Sequence, residues 1–147
     1  MQIQGVLETC LYVDDLRAAE AFYGSVLGLP VMGRQEGRHV FFRCGTSMLL
    51  LFKPGETCRP DSDVPPHGAH GPGHVAFAVD ENDLPQWLAR LRAHDVVIEK
   101  LLQWPQGGTS VYFRDPAGNS LELAVPRIWD GVRAAAGAAP PHRTEST

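Results

Sequence analysis

Phe113-Arg114-Asp115-Pro116-Ala117-Gly118-Asn119-Ser120-Leu121-Glu122-Leu123 is the stretch whose reading decides the fold of this chain. Asp-Pro and Gly-Asn mark a tight turn, and the residues on both sides alternate apolar and polar as half-buried strands do. The same pattern occurs earlier in the chain. His39-Val40-Phe41-Phe42-Arg43-Cys44-Gly45-Thr46-Ser47-Met48-Leu49-Leu50 overlies the segment from Ser110 to Leu123, with a gap at Pro116-Ala117. Val40, Phe42, Arg43, Gly45 and Ser47 then match Val111, Phe113, Arg114, Gly118 and Ser120. Glu8 falls over His74, and Val13-Asp14 over Val79-Asp80, so the chain reads as an internal repeat.

Outward from these anchors, Val6 to Val13 is rich in strand formers and stops at Asp14-Asp15. Leu16, Ala19, Phe22, Tyr23, Val26 and Leu27 follow at helical spacing, with Asp14 or Asp15 as N-cap and Gly28 at the C-cap. Strands are expected at Val31–Gln35, His39–Cys44 and Ser47–Phe52, parted by turns at Glu36-Gly37-Arg38 and Gly45-Thr46. Residues 54–73 contain nine Pro or Gly and read as a linker or mobile surface loop. The order then repeats: a strand from His74 to Val79, a helix carrying Leu84, Leu88 and Leu91, and strands at Val96–Gln103, Ser110–Arg114 and Ser120–Val125. The expected fold class is α+β: two βαβββ modules, about residues 5–53 and 72–126, joined by a linker at 54–71 within one domain, 1–126. Residues 127–147 form a C-terminal tail expected to dock through Ile128 and Trp129.

Composition narrows the function classes. The 147 residues are 44% apolar and 20% charged, as in ordinary globular domains. No apolar run exceeds the five residues of Met48 to Phe52, far too short for a membrane span. A net charge of -4 argues against a nucleic-acid partner. Cys10, Cys44 and Cys58 lack metal-type spacing and cannot all pair. With no signal-peptide pattern at the N-terminus, a cytoplasmic location is expected. No Ser-His-Asp order, phosphate loop or dinucleotide glycine motif is present, so no nucleotide cofactor is expected.

Strand alternation assigns the faces. Leu7, Leu11 and Val13 oppose Glu8, Cys10 and Tyr12; Val75, Phe77 and Val79 oppose His74, Ala76 and Ala78; Leu121, Leu123 and Val125 oppose Ser120, Glu122 and Ala124. Each of these strands has a greasy face suited to a helix and a second face bearing one potential metal ligand: Glu8, His74 or Glu122. A sheet face turned to bulk water would scatter its charges; one per strand among small residues suits a cavity wall.

Residues 113–123 resemble the closing motif of the vicinal oxygen chelate superfamily, the glyoxalase, bleomycin resistance protein and extradiol dioxygenase type. Val13-Asp14-Asp15-Leu16, Phe22-Tyr23, Val26-Leu27-Gly28-Leu29 and Gly73-His74-Val75-Ala76-Phe77 agree with it, so the resemblance covers about residues 5 to 126. It implies a mixed sheet of two modules curled around a metal-site cavity, in chains that commonly form homodimers and sometimes exchange modules. It also implies a divalent ion, Mn, Fe, Co, Ni or Zn, held by Glu8, His74 and Glu122, with Leu49 (or Leu50, after a one-residue slip) at the fourth position. A leucine there matches the three-ligand members, although those usually have histidine where this chain has Glu8.

The implied activity is that of a glyoxalase-like lyase or isomerase acting on a small molecule with adjacent oxygens, with Glu8 or Glu122 as the base. The alternatives are an extradiol-type ring-cleaving dioxygenase and a metal-free small-molecule-binding protein that confers antibiotic resistance. Tyr12, Phe41, Leu49, Leu51, Tyr112 and Trp104 are expected to face the cavity. His67 and His70 read as solvated loop residues, with His67 able to reach the site as a lid. Arg38 and His39 read as surface residues at a hairpin tip, and the cysteines as small core residues.

Overall fold

The structure, a computed structural model, describes residues 1–61 and 64–130. Its first half runs β1 (Glu8–Tyr12), α1 (Leu16–Ser25), β2 (Val31–Gln35), β3 (His39–Cys44) and β4 (Ser47–Phe52). A one-turn helix, α2 (Pro54–Thr57), opens the loop between the halves. The second half runs β5 (His74–Ala78), a 3-10 turn (Glu81–Asp83), α3 (Leu84–Ala93), β6 (Lys100–Gln103), β7 (Thr109–Arg114) and β8 (Ser120–Ala124), followed by a 3-10 turn at Pro126–Trp129.

The strands form two four-stranded mixed sheets of identical order, β1-β4-β3-β2 and β5-β8-β7-β6. In each, the first strand pairs parallel with the last, and the remaining pairs are antiparallel. The two βαβββ modules and the α+β class are thus present as expected. Asp15 is the N-cap of α1, accepting from the amides of Arg17 and Ala18 at 3.0 Å each. Pro85 lies in the first turn of α3, where its missing N–H costs nothing. The strand expected from Val96 begins only at Lys100. The chain leaves α3 through Asp95 at a positive φ of 56°, and Val96 and Ile98 turn inward to pack on the core instead.

One apolar core spans both modules. Leu11, Val13, Tyr23, Phe42, Leu49 and Leu51 from the first join Phe77, Leu91, Val111, Phe113, Leu121 and Leu123 from the second. Polar links cross the same seam. The Tyr23 hydroxyl donates to Asp115 Oδ2 at 2.9 Å, burying a phenol and a carboxylate together. Arg90 donates to the carbonyls of Val26 (2.6 Å) and Ser25 (2.8 Å), covering the open C-terminal end of α1 from the other module. Gly73 sits tight against the first module: a Cβ there would lie 2.7 Å from Leu11 Cδ2.

Ile128 is buried as expected of the tail, but Trp129 is 60% exposed and does not dock. The remainder of the tail, 131–147, lies outside the described residues.

Candidate functional site

The turn that closes the second module is built from side chains. Asp115 Oδ1 accepts the amides of Ala117 (2.9 Å) and Asn119 (2.8 Å), holding residues 115–119 as a rigid loop before β8. Asn119 then reaches back and accepts the Gly73 amide on Oδ1 at 2.7 Å, while its Nδ2 donates to Asp115 Oδ2 at 2.9 Å and to the Tyr12 carbonyl at 3.3 Å. This fixes the entry of β5 against β8, and His74 follows directly.

His74 Nδ1 lies 3.0 Å from the Ser120 carbonyl oxygen. A carbonyl only accepts, so Nδ1 carries the proton and the lone pair of the neutral ring is on Nε2. That nitrogen lies 3.3 Å from Glu122 Oε2. The His74 side chain is half exposed, whereas that of Glu122 is 7% exposed. Glu122 Oε1 is buried without any hydrogen-bond partner. Two acceptors that face each other and a third buried with nothing to accept are stable together only with a proton or a cation among them. An imidazole nitrogen and a carboxylate at this spacing are donors suited to a divalent first-row ion. Tyr112, paired with Glu122 across the strands, has its phenol held above its ordinary range, first by burial and then by the Glu122 charge.

Glu8 occupies the matching place in the first module. It opens β1 opposite Met48, as His74 opens β5 opposite Ser120, and it is exposed. Within one chain it does not join the other two, and no group of three His, Cys, Asp or Glu stands together among the described residues. A cavity of about 520 Å³ opens at the seam between the sheets, bordered by Thr9, Leu49, Val75 and Phe77, and none of Glu8, His74 and Glu122 lines it.

The register corrects the fourth position. Cys10 pairs with Leu50 and Phe41 with Leu50, as Ala76 pairs with Glu122 and Tyr112 with Glu122. Leu50, not Leu49, is therefore the counterpart of Glu122. Leu49 pairs with Phe42 as Leu121 pairs with Phe113, and it points into the helix-facing core with 1% exposure. The slip comes from matching Gly45 to Gly118. The first hairpin turns through Gly45-Thr46 between paired Cys44 and Ser47, and the second turn is one residue longer relative to the Arg43–Met48 and Arg114–Ser120 pairs. Leu51 is likewise a core residue, fully buried, rather than a cavity residue.

Three further expectations change. His67 is not solvated: its Nδ1 lies 2.7 Å from the Tyr12 hydroxyl and its ring meets Phe52 edge-on at 4.9 Å. His70 is exposed. Arg38 and His39 are half-buried against Phe52 and Phe41 rather than free at a hairpin tip. Cys10 and Cys58 are exposed and only Cys44 is half-buried, its thiol pushed up by burial. The Tyr12 phenol is pushed up to about 12, first by burial and then by a hydrogen bond with Cys10. Trp104 donates Nε1–H to Ser110 Oγ at 2.9 Å. The Tyr12–His67 contact had one legible half: Tyr12 shares the face of Glu8 by alternation, but nothing local brings residue 67 to it.

The family model described as Glyoxalase/Bleomycin resistance protein/Dioxygenase superfamily matches residues 5–123. The chain is 32% identical over 123 residues to glutathione transferase FosA of Serratia marcescens, covering 84% of this chain and 82% of that one. It is 29% identical over 133 residues to metallothiol transferase FosB of Staphylococcus epidermidis, covering 88% and 87%. Among solved structures, lactoylglutathione lyase from Agrobacterium tumefaciens superposes with a TM-score of 0.84 at 45% identity, covering 88% of this chain and 98% of that one.

Proposed function

The chain belongs to the glyoxalase/bleomycin resistance protein/dioxygenase superfamily, and we propose that within it the protein is a metal-dependent lyase or transferase. Its substrate is a small molecule with two adjacent oxygens, and a thiol is the second reactant or part of the substrate. The observation that carries this reading is the pairing of His74 Nε2 with Glu122 Oε2 at 3.3 Å beside the orphaned Glu122 Oε1. The thiol is suggested by the similar proteins, whose names specify a metallothiol transferase, a glutathione transferase and a lactoylglutathione lyase.

Glu8, His74 and Glu122 are the proposed protein ligands, one nitrogen and two carboxylates, a set that suits Mn, Fe, Co, Ni or Zn. A divalent ion held there supplies Lewis-acid stabilisation of charge developing on the substrate oxygens. Ser120 fixes the His74 tautomer and ring plane through its carbonyl. Glu122, whose Oε2 lies beside the half-exposed His74, is the carboxylate proposed to accept a proton from substrate. Tyr112, kept protonated, can donate to a substrate oxygen. Leu50 supplies no donor at the fourth corner, which leaves room for both oxygens of the substrate.

Because Glu8 does not meet His74 and Glu122 within one chain, the third ligand is proposed to come from a second copy, in a homodimer that shares its sites. Mixing inactive Glu8→Ala protein with inactive Glu122→Gln protein tests ligands and sharing together. Subunit exchange should restore metal-dependent activity at about one site in four, the intact site of each mixed dimer. The assay measures lactoylglutathione formation from the adduct of glutathione with a 2-oxoaldehyde, a small molecule with adjacent oxygens, and transfer of glutathione to an electrophile of the same class. Fully active single variants would remove the ligand assignment. Inactive variants that never complement would remove the sharing.

A further inference from the structure

We propose that the open face of the β1–β4 sheet is a subsite for the far end of the substrate, and that it takes a flat aromatic group carrying a negative charge. The inference deepens the reading above, and it rests on that reading only for where the substrate's paired oxygens sit.

The face carries a continuous ring surface. His39 stacks on Phe41 with centroids 4.1 Å apart and planes 7° from parallel. Phe52 meets Phe41 edge-on at 5.4 Å and His39 at 5.8 Å, and His67, delivered by the loop between the modules, closes the far side. Phe41, His39 and His67 are all half-buried, so these rings are still reachable by a ligand. Offset and edge-to-face contacts are the geometries by which one more planar ring would join such a group.

One charge borders it. The Arg38 guanidinium lies 6.0 Å from the Phe52 ring centroid and donates to His39 Nδ1 at 3.2 Å. Arginine can only donate, so His39 accepts there and is a neutral ring; burial, and then Arg38, also lower its pKa. Arg38 is thus the cation at the ring end of this face, Arg43 lying at the Glu8 end, and among the described residues no carboxylate pairs with Arg38. A half-buried guanidinium without an anion, set beside half-buried rings, is complementary to an aromatic carboxylate, phosphate or sulfonate.

Geometry sets the length. Glu8 and Tyr12 are the two ends of β1, and Tyr12 pairs with Phe52. Four residues at a strand rise of about 3.3 Å separate the ligand end from the ring end by roughly 13 Å. The matching molecule is elongated, with its paired oxygens at one end and its anionic ring at the other.

Calorimetric titration of the full-length, metal-free protein with three probes tests this. Biphenyl-4-carboxylate should bind about tenfold more tightly than its saturated counterpart, 4-cyclohexylcyclohexanecarboxylate, and than neutral biphenyl-4-carboxamide. Arg38→Gln should abolish the preference for the anion, and Phe41→Leu the preference for the aromatic body. Equal affinities for the three probes, or preferences that survive both substitutions, would overturn the subsite. A fourth probe, biphenyl-4-hydroxamate, is titrated with and without Mn²⁺ and reports the metal reading separately. If Mn²⁺ strengthens the hydroxamate while the carboxylate preference is missing, the subsite falls and the metal site stands. If the preference is present and Mn²⁺ adds nothing, the reverse holds.

Discussion

Asn119 Oδ1 accepts the backbone amide of Gly73 at 2.7 Å, and the Gly73 carbonyl in turn accepts the amide of Ser120 at 2.9 Å. These two bonds lock the strand that begins with His74 to the strand that carries Glu122. The turn motif nearest the site is therefore a clamp on the geometry of the proposed ligands rather than a source of them.

Asn119→Ala should destabilise the protein by roughly 2–3 kcal/mol, because buried partners at Gly73 and Asp115 lose their bonds without gaining water. It should also weaken metal binding through displacement of His74. Urea unfolding and metal titration of the same variant measure the two effects. Stability lost with metal affinity intact would mean that the clamp does not position the histidine.

Glu122→Gln should move thermal stability in opposite directions with and without metal. With chelator present, the variant loses a buried carboxylate whose Oε1 has no partner, so its Tm should equal or exceed that of the parent. With excess Mn²⁺ the parent should gain stability by ligand binding and the variant should gain little. Melts in the two buffers check this, and curves that shift in parallel would contradict it.

Leucines 49 and 50 should respond differently to glutamate. Leu50→Glu places a carboxylate at the counterpart of Glu122 and should tighten metal binding while lowering turnover, since it fills a corner the substrate needs. Leu49→Glu drives a charge into the helix-facing core and should cost several kcal/mol, on the order of 3 or more, with metal or without. Comparing both variants by metal titration and urea unfolding decides the register independently of any structure.

All three tyrosines should resist ionisation in the native protein. Tyr12 is pushed up to about 12, and Tyr23 and Tyr112 are also raised, each first by burial. A native pKa above the unfolded value of 10.0 means the folded state holds its protons longer, so stability is intact below pH 10 and falls as pH rises beyond it. Absorbance at the phenolate band should show little titration near pH 10 in buffer and full titration there in denaturant. A native phenol titrating at its ordinary pH would refute the burial assigned to it.

Strand alternation, two turn motifs and one internal repeat carried most of the fold. The bounds of β2, β3 and β4 follow directly from turns at Gly37 and Gly45, because hairpin strands are local objects. The face carrying the proposed ligands followed from parity alone, which is why Glu8, His74 and Glu122 are read together although one chain does not bring Glu8 to the other two. Parity fails where a count fails: one extra turn residue carried the expectation from Leu50 to Leu49. The Pro- and Gly-rich loop was opaque for a different reason. His67 is placed by Tyr12 and Phe52, residues far away in sequence, and no local preference encodes such a meeting. The Arg38–Phe52 contact was hidden in the same way, since a hairpin-tip arginine reads as solvated until the sheet beneath it is known.

The two modules share one backbone plan, yet Leu50 stands where its twin carries Glu122. A pocket with matched halves would admit a molecule with two similar oxygens either way round and could not tell its two ends apart. At the proposed site an apolar corner faces a carboxylate corner, so only one orientation brings the reacting carbon under Glu122. Departure from the internal twofold at Leu50, like that of Glu8 from His74, would then fix which end of the substrate reacts, so that of two similar carbons one is transformed and the other left alone.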